Sequence, residues 1–98
     1  MKNRVLSLIG LAYRASKIII GVDETIVKLK EKKVNIVFLD KDLTTNTLKE
    51  LSYECEISNA RLVRDFTKEE LSHAIGKKNV SVIGIIDEGF KKLIEESL

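Results

Sequence analysis

The chain has 98 residues, of which 44% are hydrophobic and 33% are charged, and its formal net charge is +2. This length fits a single domain over residues 1–98 with one modest core. The single cysteine excludes an intramolecular disulfide, and no apolar run approaches the roughly 20 residues that span a bilayer, so we expect a cytoplasmic protein without membrane contact.

Basic residues are concentrated at the start of the chain. Residues 1–33 contain eight lysines and arginines against three acidic residues, whereas residues 34–98 contain nine against twelve. Such asymmetry is common in proteins that bind nucleic acid through one face. The alternative is that the lysines between positions 28 and 33 only solvate a helix end and offset its dipole.

Apolar periodicity predicts helices that alternate with strands along the chain. The apolar stretch after Arg4 loosely resembles a signal peptide, but its helical spacing favours a helix. The predicted elements are a helix from an N-cap at Asn3 to Arg14, a strand over 18–20, a helix from Asp23, a strand over 34–39, a helix capped by Thr44 or Thr45, a strand over 61–64, a helix from Thr67 to Gly76, a strand over 80–86 and a helix capped by Asp87. This order indicates an α/β fold, with a parallel or mixed sheet between two layers of helices.

Residues suited to catalysis are sparse. The single histidine, His73, lies on a predicted helix without an evident acid or nucleophile partner, and Cys55 completes an apolar helical stripe. One cysteine and one histidine do not make the usual four-ligand zinc site. Asp40 and Asp42 follow a buried strand, where ligands often bind, but a turn into the next helix accounts for both. We therefore expect a protein that is not an enzyme and has no cofactor or metal.

A glycine and two carboxylates mark the start of the second predicted helix. Gly21 lets a ligand approach the backbone closely, and Asp23 and Glu24 follow at the helix N-terminus. Carboxylates there complement the helix dipole, but they also offer acceptors to the N–H donors of guanine in irregular RNA. Three lysines are then expected to contact phosphates, namely Lys17 before the strand, and Lys28 and Lys32 one and two turns into the helix.

A basic loop follows the fourth predicted helix. Gly76 ends this helix, and Lys77, Lys78 and Asn79 lead into a buried strand. On its own the segment is a helix end with two solvated lysines. Beside the start of the second helix it would complete a surface for RNA, so this hypothesis requires the two segments to be neighbours in space.

Three segments carry a family resemblance, namely Leu8–Lys17 leading to Gly21–Glu24, then Val34–Asp42, and then Leu71–Lys77. In this order and spacing they resemble the kink-turn-binding ribosomal proteins, the superfamily of the archaeal ribosomal protein L7Ae, and in particular its bacterial YlxQ-like branch. The resemblance covers essentially the whole chain. It implies a three-layer α/β/α sandwich around a four-stranded mixed β-sheet. It also implies binding of RNA kink-turns, in which sheared G·A pairs expose guanine edges.

The resemblance also implies roles for particular residues. Gly21, Asp23 and Glu24 would contact the guanines, and Gly76–Asn79 would form a second contact loop. Arg14 and Lys17 would lie near the phosphates. The expected partner is structured RNA of kink-turn or ribosomal origin, with ribosome association as one option, and the protein is expected to be a monomer.

Three positions depart from the family pattern. Asp23 stands where the family has asparagine, Val27 where it has a helix lysine, and Ser72 where glycine is common. The first two changes alter contacts that read bases, and losing one bidentate base contact costs roughly 1–3 kcal/mol of discrimination.

Two other functions remain open from the sequence. A protein-interaction module of the same fold would have lost specific RNA binding and would use the acidic later helices. A small enzyme would need a metal or phosphate in a cleft near Asp40 and Asp42.

Overall fold

The computed structural model describes residues 2–98, which form helices and strands in strict alternation. The elements are α1 (Lys2–Arg14), β1 (Ile18–Ile20), α2 (Val22–Lys30), β2 (Ile36–Leu39), α3 (Asn46–Ser58), β3 (Arg61–Val63), α4 (Lys68–Ile75), β4 (Val82–Ile85) and α5 (Glu88–Ser97). Each predicted element is present. β2 and β4 begin two residues later than predicted because Val34 and Val80 join the core from loops rather than from strands.

The four strands form one mixed sheet in the order β1-β4-β2-β3. β4 is antiparallel to both of its neighbours, and β2 is parallel to β3. Ile18 pairs with Ile85 and Ile20 pairs with Ile83, so the end of β1 lies beside the start of β4. This pairing determines which loops meet at each end of the sheet.

Helices cover both faces of the sheet, as the sequence predicts. Side chains of β2 alternate between the two layers because successive strand residues point to opposite faces. Ile36 and Phe38 pack in a core with residues of α1, α4 and α5, whereas Val37 and Leu39 pack in a second core with residues of α2 and α3. The expected three-layer sandwich is therefore confirmed. No helix within residues 2–98 is both long and apolar enough to cross a membrane.

Most predicted helix starts are confirmed by side-chain caps. The Thr45 hydroxyl accepts from the Thr47 N–H, the Asp87 carboxylate accepts from the Phe90 N–H, and Thr67 forms a capping box with Glu70. The Asn3 cap is wrong, because Asn3 lies inside α1, which includes Lys2.

Helices α1 to α4 end in the same motif. In each, one residue adopts the left-handed conformation, and the N–H of the next residue donates to the carbonyl five positions before it. The left-handed residues are Ser16, Lys32, Asn59 and Gly76. Only the last was predicted, because glycine is the sole strong sequence signal for this conformation.

Candidate nucleic-acid interface

Two segments from opposite layers meet at one end of the sheet. β1 ends where β4 begins, and the Gly21 N–H donates to the Val82 carbonyl over 3.0 Å. This bond links the start of α2 to the segment that follows α4. Gly21–Glu24 and Gly76–Asn79 therefore lie at the same end of the sheet, which is one condition of the RNA hypothesis.

Gly21 is required by its backbone conformation. Its φ of 104° and ψ of 158° lie in a region that is essentially restricted to glycine. A Cβ atom at this position would have no heavy atom within 4 Å. The glycine therefore serves the sharp turn from strand to helix, and it leaves open space beside the backbone.

The carboxylates of Asp23 and Glu24 are exposed in the first turn of α2. No side chain caps this helix start. Neither carboxylate forms an ion pair with any residue in the described part of the chain. Both remain available as acceptors for donors on a ligand.

An apolar patch adjoins these acids. Ile19 and Val27 line a shallow depression together with Asp23, Glu24 and Lys28. Val27 is 52% exposed. This position therefore presents an exposed aliphatic side chain beside the two acids.

Ser72 holds both ends of the loop Gly76–Asn79. The Lys77 N–H donates to the Ser72 carbonyl over 3.0 Å, and the Val80 N–H donates to the Ser72 hydroxyl over 2.8 Å. The side chain of Ser72 is buried inside α4, while the four loop residues are exposed. A single buried serine thus fixes the base of the loop and leaves its side chains free.

Sequence reasoning missed this role of Ser72. The position was noted only as a departure from the glycine that is common in the family. A hydroxyl in a helix gives no signal that a backbone N–H eight residues later will face it, because that contact depends on the path of the loop. The capacity of serine to accept a backbone N–H is the only hint in the sequence.

Lys77 connects the loop to the end of α1. Its ammonium lies 5.8 Å from the centre of the Tyr13 ring, within the range of a cation–π contact. Lys77 is nevertheless exposed. Its charge is therefore held near the surface between α1 and the loop, where it remains accessible to an anion.

Lys17 and Arg14 lie away from Gly21. The Lys17 carbonyl accepts from the Ile86 N–H over 3.0 Å, which places Lys17 beside the end of β4. The three residues of β1 lie between Lys17 and Gly21, which places the two about 13 Å apart along the strand. Arg14, the last residue of α1, lines a groove with His73 of α4. The structure thus separates both predicted phosphate contacts from the start of α2.

The predicted position of Lys32 two turns into α2 is wrong. The helix ends at Lys30, Glu31 is its C-cap, and Lys32 follows in the left-handed conformation with φ of 60°. The chain turns there because the N–H groups of Lys32 and Lys33 return to carbonyls of the last helical turn. Lys28 does lie within the helix, as predicted.

Lys28, Lys32 and Lys33 form a lysine cluster at the far end of α2, where they line one depression. The Glu31 carboxylate lies 3.4 Å from the Lys28 ammonium and 3.5 Å from that of Lys33. The Lys28 ammonium, and to a lesser degree that of Lys33, holds the pKa of Glu31 below its usual value. Among residues 2–98 Lys32 has no ion-pair partner.

The residues considered for catalysis have structural roles or no partners. An Asp40 carboxylate oxygen accepts the Asp42 N–H over 3.0 Å, so this pair forms the turn after β2. Cys55 is 3% exposed, and burial, with a contribution from the Glu54 carboxylate, raises the pKa of its thiol to about 11. A thiol with this pKa is not a nucleophile near neutral pH. Within the described residues no three His, Cys, Asp or Glu side chains are grouped to hold a metal.

Comparison with known proteins identifies relatives of the whole chain. The model of the ribosomal protein L7Ae/L30e/S12e/Gadd45 family matches residues 3–95. A protein of Enterococcus faecium named RNA-binding protein YlxQ is 35% identical over 95 residues, which cover 97% of this chain and 91% of the relative. Its namesake in Bacillus subtilis strain 168 is 32% identical over 88 residues, which cover 89% of this chain and 88% of that protein.

Two solved structures share the architecture. A protein of unknown function from Bacillus halodurans matches with a TM-score of 0.90 at 30% sequence identity, covering 95% of this chain and 94% of that chain. The 15.5 kD RNA-binding protein of Giardia lamblia matches with a TM-score of 0.82 at 18% identity, covering 97% of this chain and 82% of that chain. At this lower identity the second likeness shows the fold alone.

Proposed function

The chain belongs to the ribosomal protein L7Ae/L30e/S12e/Gadd45 family, and we propose that it binds structured RNA through the start of α2 and the loop Gly76–Asn79. The observation that carries this proposal is the hydrogen bond from Gly21 to Val82, which brings the two segments to one end of the sheet. The names of the two bacterial relatives support RNA as the ligand. The family is non-enzymatic, and the chain is not an enzyme.

The two segments supply complementary chemistry. Asp23 and Glu24 offer carboxylate oxygens to guanine N–H donors that are exposed outside Watson–Crick pairs. Lys77 and Lys78 supply cations that contact phosphates and make the affinity depend on salt. The turn at Gly21 lets the RNA approach the backbone between these groups. The exposed carboxylates select the ligand, and the lysines of the loop hold it.

We take a kink-turn as the specific RNA, because its sheared G·A pairs present guanine edges to an acceptor. Asp23 can accept from these edges but cannot donate as the asparagine of the family does. Val27 contacts a base without hydrogen bonding to it. The protein therefore depends on Glu24 for base reading more than a family member with all three contacts. Cytoplasmic location, a monomeric state and association with the ribosome remain predictions.

Binding of a kink-turn RNA by charge-neutralising variants tests the proposal. Glu24→Ala is expected to weaken binding roughly 5- to 150-fold, as the loss of one base contact of about 1–3 kcal/mol implies. Lys77→Ala is expected to weaken it severalfold and to reduce the salt dependence by about one counterion. Gel shifts or fluorescence anisotropy over a salt series measure both effects.

Two variants outside the proposed surface serve as matched controls for Glu24→Ala and Lys77→Ala. Glu56→Ala on α3 and Lys92→Ala on α5 remove one exposed charge of each sign outside the proposed surface. Both should bind as the wild type does. A second RNA, in which Watson–Crick pairs replace the sheared G·A pairs, should bind weakly to every variant. Unchanged affinity of Glu24→Ala and Lys77→Ala would rule out this surface and would leave the protein-interaction alternative, which partner capture without RNA then tests.

A further inference from the structure

A groove runs between α1 and α4, on the face of the sheet opposite to α2. Gly10 lies at its base, where a Cβ atom would stand only 2.8 Å from the Ala74 carbonyl oxygen. A side chain at position 10 would therefore push the two helices apart. The glycine permits a close helix crossing, and the side chains that flank it form the walls of the groove.

The walls of this groove suit a polyanion with bases. A guanidinium nitrogen of Arg14 lies 3.8 Å from the Cβ position of Gly10, so the cation lies over the base of the groove. His73 is exposed on the α4 side, and Leu11 is 46% exposed on the α1 side. None of the residues that line the groove is acidic. Guanidinium groups pair with phosphates, and imidazole rings stack on unpaired bases.

The groove continues into the loop that follows α4. His73 lines both the groove and an adjoining depression, which is formed in part by Lys77, Lys78 and Asn79. Lys77 also contacts the Tyr13 ring at the end of α1. Lys68 and one acid, Glu69, also line this depression, so a strand of nucleic acid that leaves the loop on this side passes mainly cations before it reaches the groove.

We propose that the groove between α1 and α4 holds an unpaired strand of RNA that extends from the structured part bound at the start of α2. This inference rests on the proposed function and enlarges its footprint to the opposite layer of the fold. Arg14 binds a phosphate of this strand, and His73 stacks on one of its bases. The acidic start of α2 and the cationic groove then contact two different parts of one RNA.

The test compares three RNAs. The first is a kink-turn that ends in paired stems, and the other two are the same kink-turn with an unpaired extension of about eight nucleotides at one end or at the other. The measured quantity is the ratio of the affinity for each extended RNA to the affinity for the RNA without an extension. For the wild type one of the two extensions should raise affinity severalfold.

The variants are Arg14→Ala and His73→Ala, with Arg4→Ala as the matched control on the same helix. Arg4 is also exposed on α1 but does not line the groove. In both groove variants the ratio should fall to about one, and in Arg4→Ala it should stay at the wild-type value. Thermal unfolding checks that the exposed substitutions leave the fold intact.

Three results would overturn the inference. The first is an affinity ratio of one for the wild type with both extensions, and the second is an equal loss of the ratio in Arg4→Ala and Arg14→Ala. The third is an acidic peptide that binds in the groove and leaves the affinity ratio unchanged. Failure of the proposed function gives a different result, because the wild type then binds none of the three RNAs. Both proposals would then be wrong.

Discussion

The two ends of α2 differ in charge and in construction. At its start the backbone of Gly21 is held by Val82 of β4, and two exposed carboxylates have no ion pair in the described chain. At its far end Lys32 turns the chain in a left-handed conformation and belongs to the lysine cluster, in which only Lys28 and Lys33 pair with Glu31. One end thus presents acceptors and the other presents cations, roughly 13 Å apart for nine helical residues.

This difference in charge distinguishes groups that can select a particular RNA from groups that attract any RNA. Carboxylates repel a polyanion, so the start of α2 contributes only if it accepts hydrogen bonds from particular donors. Lysines attract any phosphate, and their effect falls with salt. In our account the start of α2 discriminates between RNAs. The cations of the loop Gly76–Asn79, the groove between α1 and α4 and the lysine cluster supply general affinity.

Substitution of Gly21 is expected to have the largest effect at the start of α2. Gly21→Ala should lower the free energy of unfolding by about 1–3 kcal/mol, because alanine is strained at this φ and ψ. It should also displace the start of α2 and weaken RNA binding at least about tenfold, the equivalent of 1.4 kcal/mol. Chemical denaturation and anisotropy with a kink-turn RNA measure the two effects.

The control for this prediction is Gly76→Ala. Gly76 lies in the ordinary left-handed region with φ of 69° and ψ of 29°, where alanine costs about 1–2 kcal/mol. A smaller loss of stability than in Gly21→Ala is expected. Equal losses in the two variants would contradict the view that Gly21 occupies a conformation restricted to glycine.

The sequence predicts the start of α2 well and its end poorly, and the reason is physical. A glycine followed closely by two acids is a local signal for a turn into a helix, so Asp23 and Glu24 were placed correctly in the first turn, although α2 begins one residue earlier than predicted, at Val22. The end of α2 at Lys30 has no such signal, since lysine is a good helix former and is rarely left-handed. The turn at Lys32 follows from how α2 must return the chain to β2, which is a property of the whole fold.

Removal of the Ser72 hydroxyl is expected to affect the loop Gly76–Asn79 and to leave the start of α2 unchanged. In Ser72→Ala the Val80 N–H loses its acceptor, which costs about 1–3 kcal/mol for a buried donor. The loop Gly76–Asn79 should become mobile, and RNA affinity should fall severalfold although Ser72 itself is buried. Hydrogen exchange at the Val80 amide, which should accelerate, identifies the mechanism.

Ser58→Ala is the matched control for Ser72→Ala. The Ser58 hydroxyl also hydrogen-bonds to the backbone, donating to the Leu29 carbonyl over 2.8 Å, but it lies at the end of α3. Its loss should cost stability without changing RNA affinity. Parallel losses of affinity in the two variants would mean that Ser72 acts through global stability and not through the loop.

At the far end of α2, Lys32→Gly is expected to change stability and RNA affinity in opposite directions. Glycine is better suited to the left-handed position, so the free energy of unfolding should rise by up to about 1 kcal/mol. The loss of one cation should lower RNA affinity slightly and reduce the salt dependence by about one counterion if Lys32 contacts a phosphate. Denaturation and a salt series on the same protein measure both.

Asn59→Gly is the control at the end of α3, where Asn59 occupies the same motif. Asparagine tolerates the left-handed conformation better than lysine, so the gain in stability should be smaller. RNA affinity should not change. A Lys32→Gly protein that is more stable and binds RNA with an unaltered salt dependence would show that this lysine only solvates the helix end.

The fold was predictable because its signals are local and repeated. Apolar periodicity gave each helix and strand, and Thr67 and Asp87 gave two helix starts that the structure confirms. The pairing of β1 with β4 was not derivable from these patterns, because it joins residues more than 60 positions apart. The location of Gly21–Glu24 and Gly76–Asn79 at one end of the sheet therefore became known only from the structure.

An NMR titration of the isotopically labelled protein with a kink-turn RNA tests whether the two segments form one RNA-binding surface. We expect the backbone amides of Gly21–Thr25 and of Gly76–Val80 to shift together, at the same RNA concentration, while those of α3 stay in place. Shifts confined to α3 and α5, or to only one of the two segments, would contradict the claim that they form one RNA-binding surface.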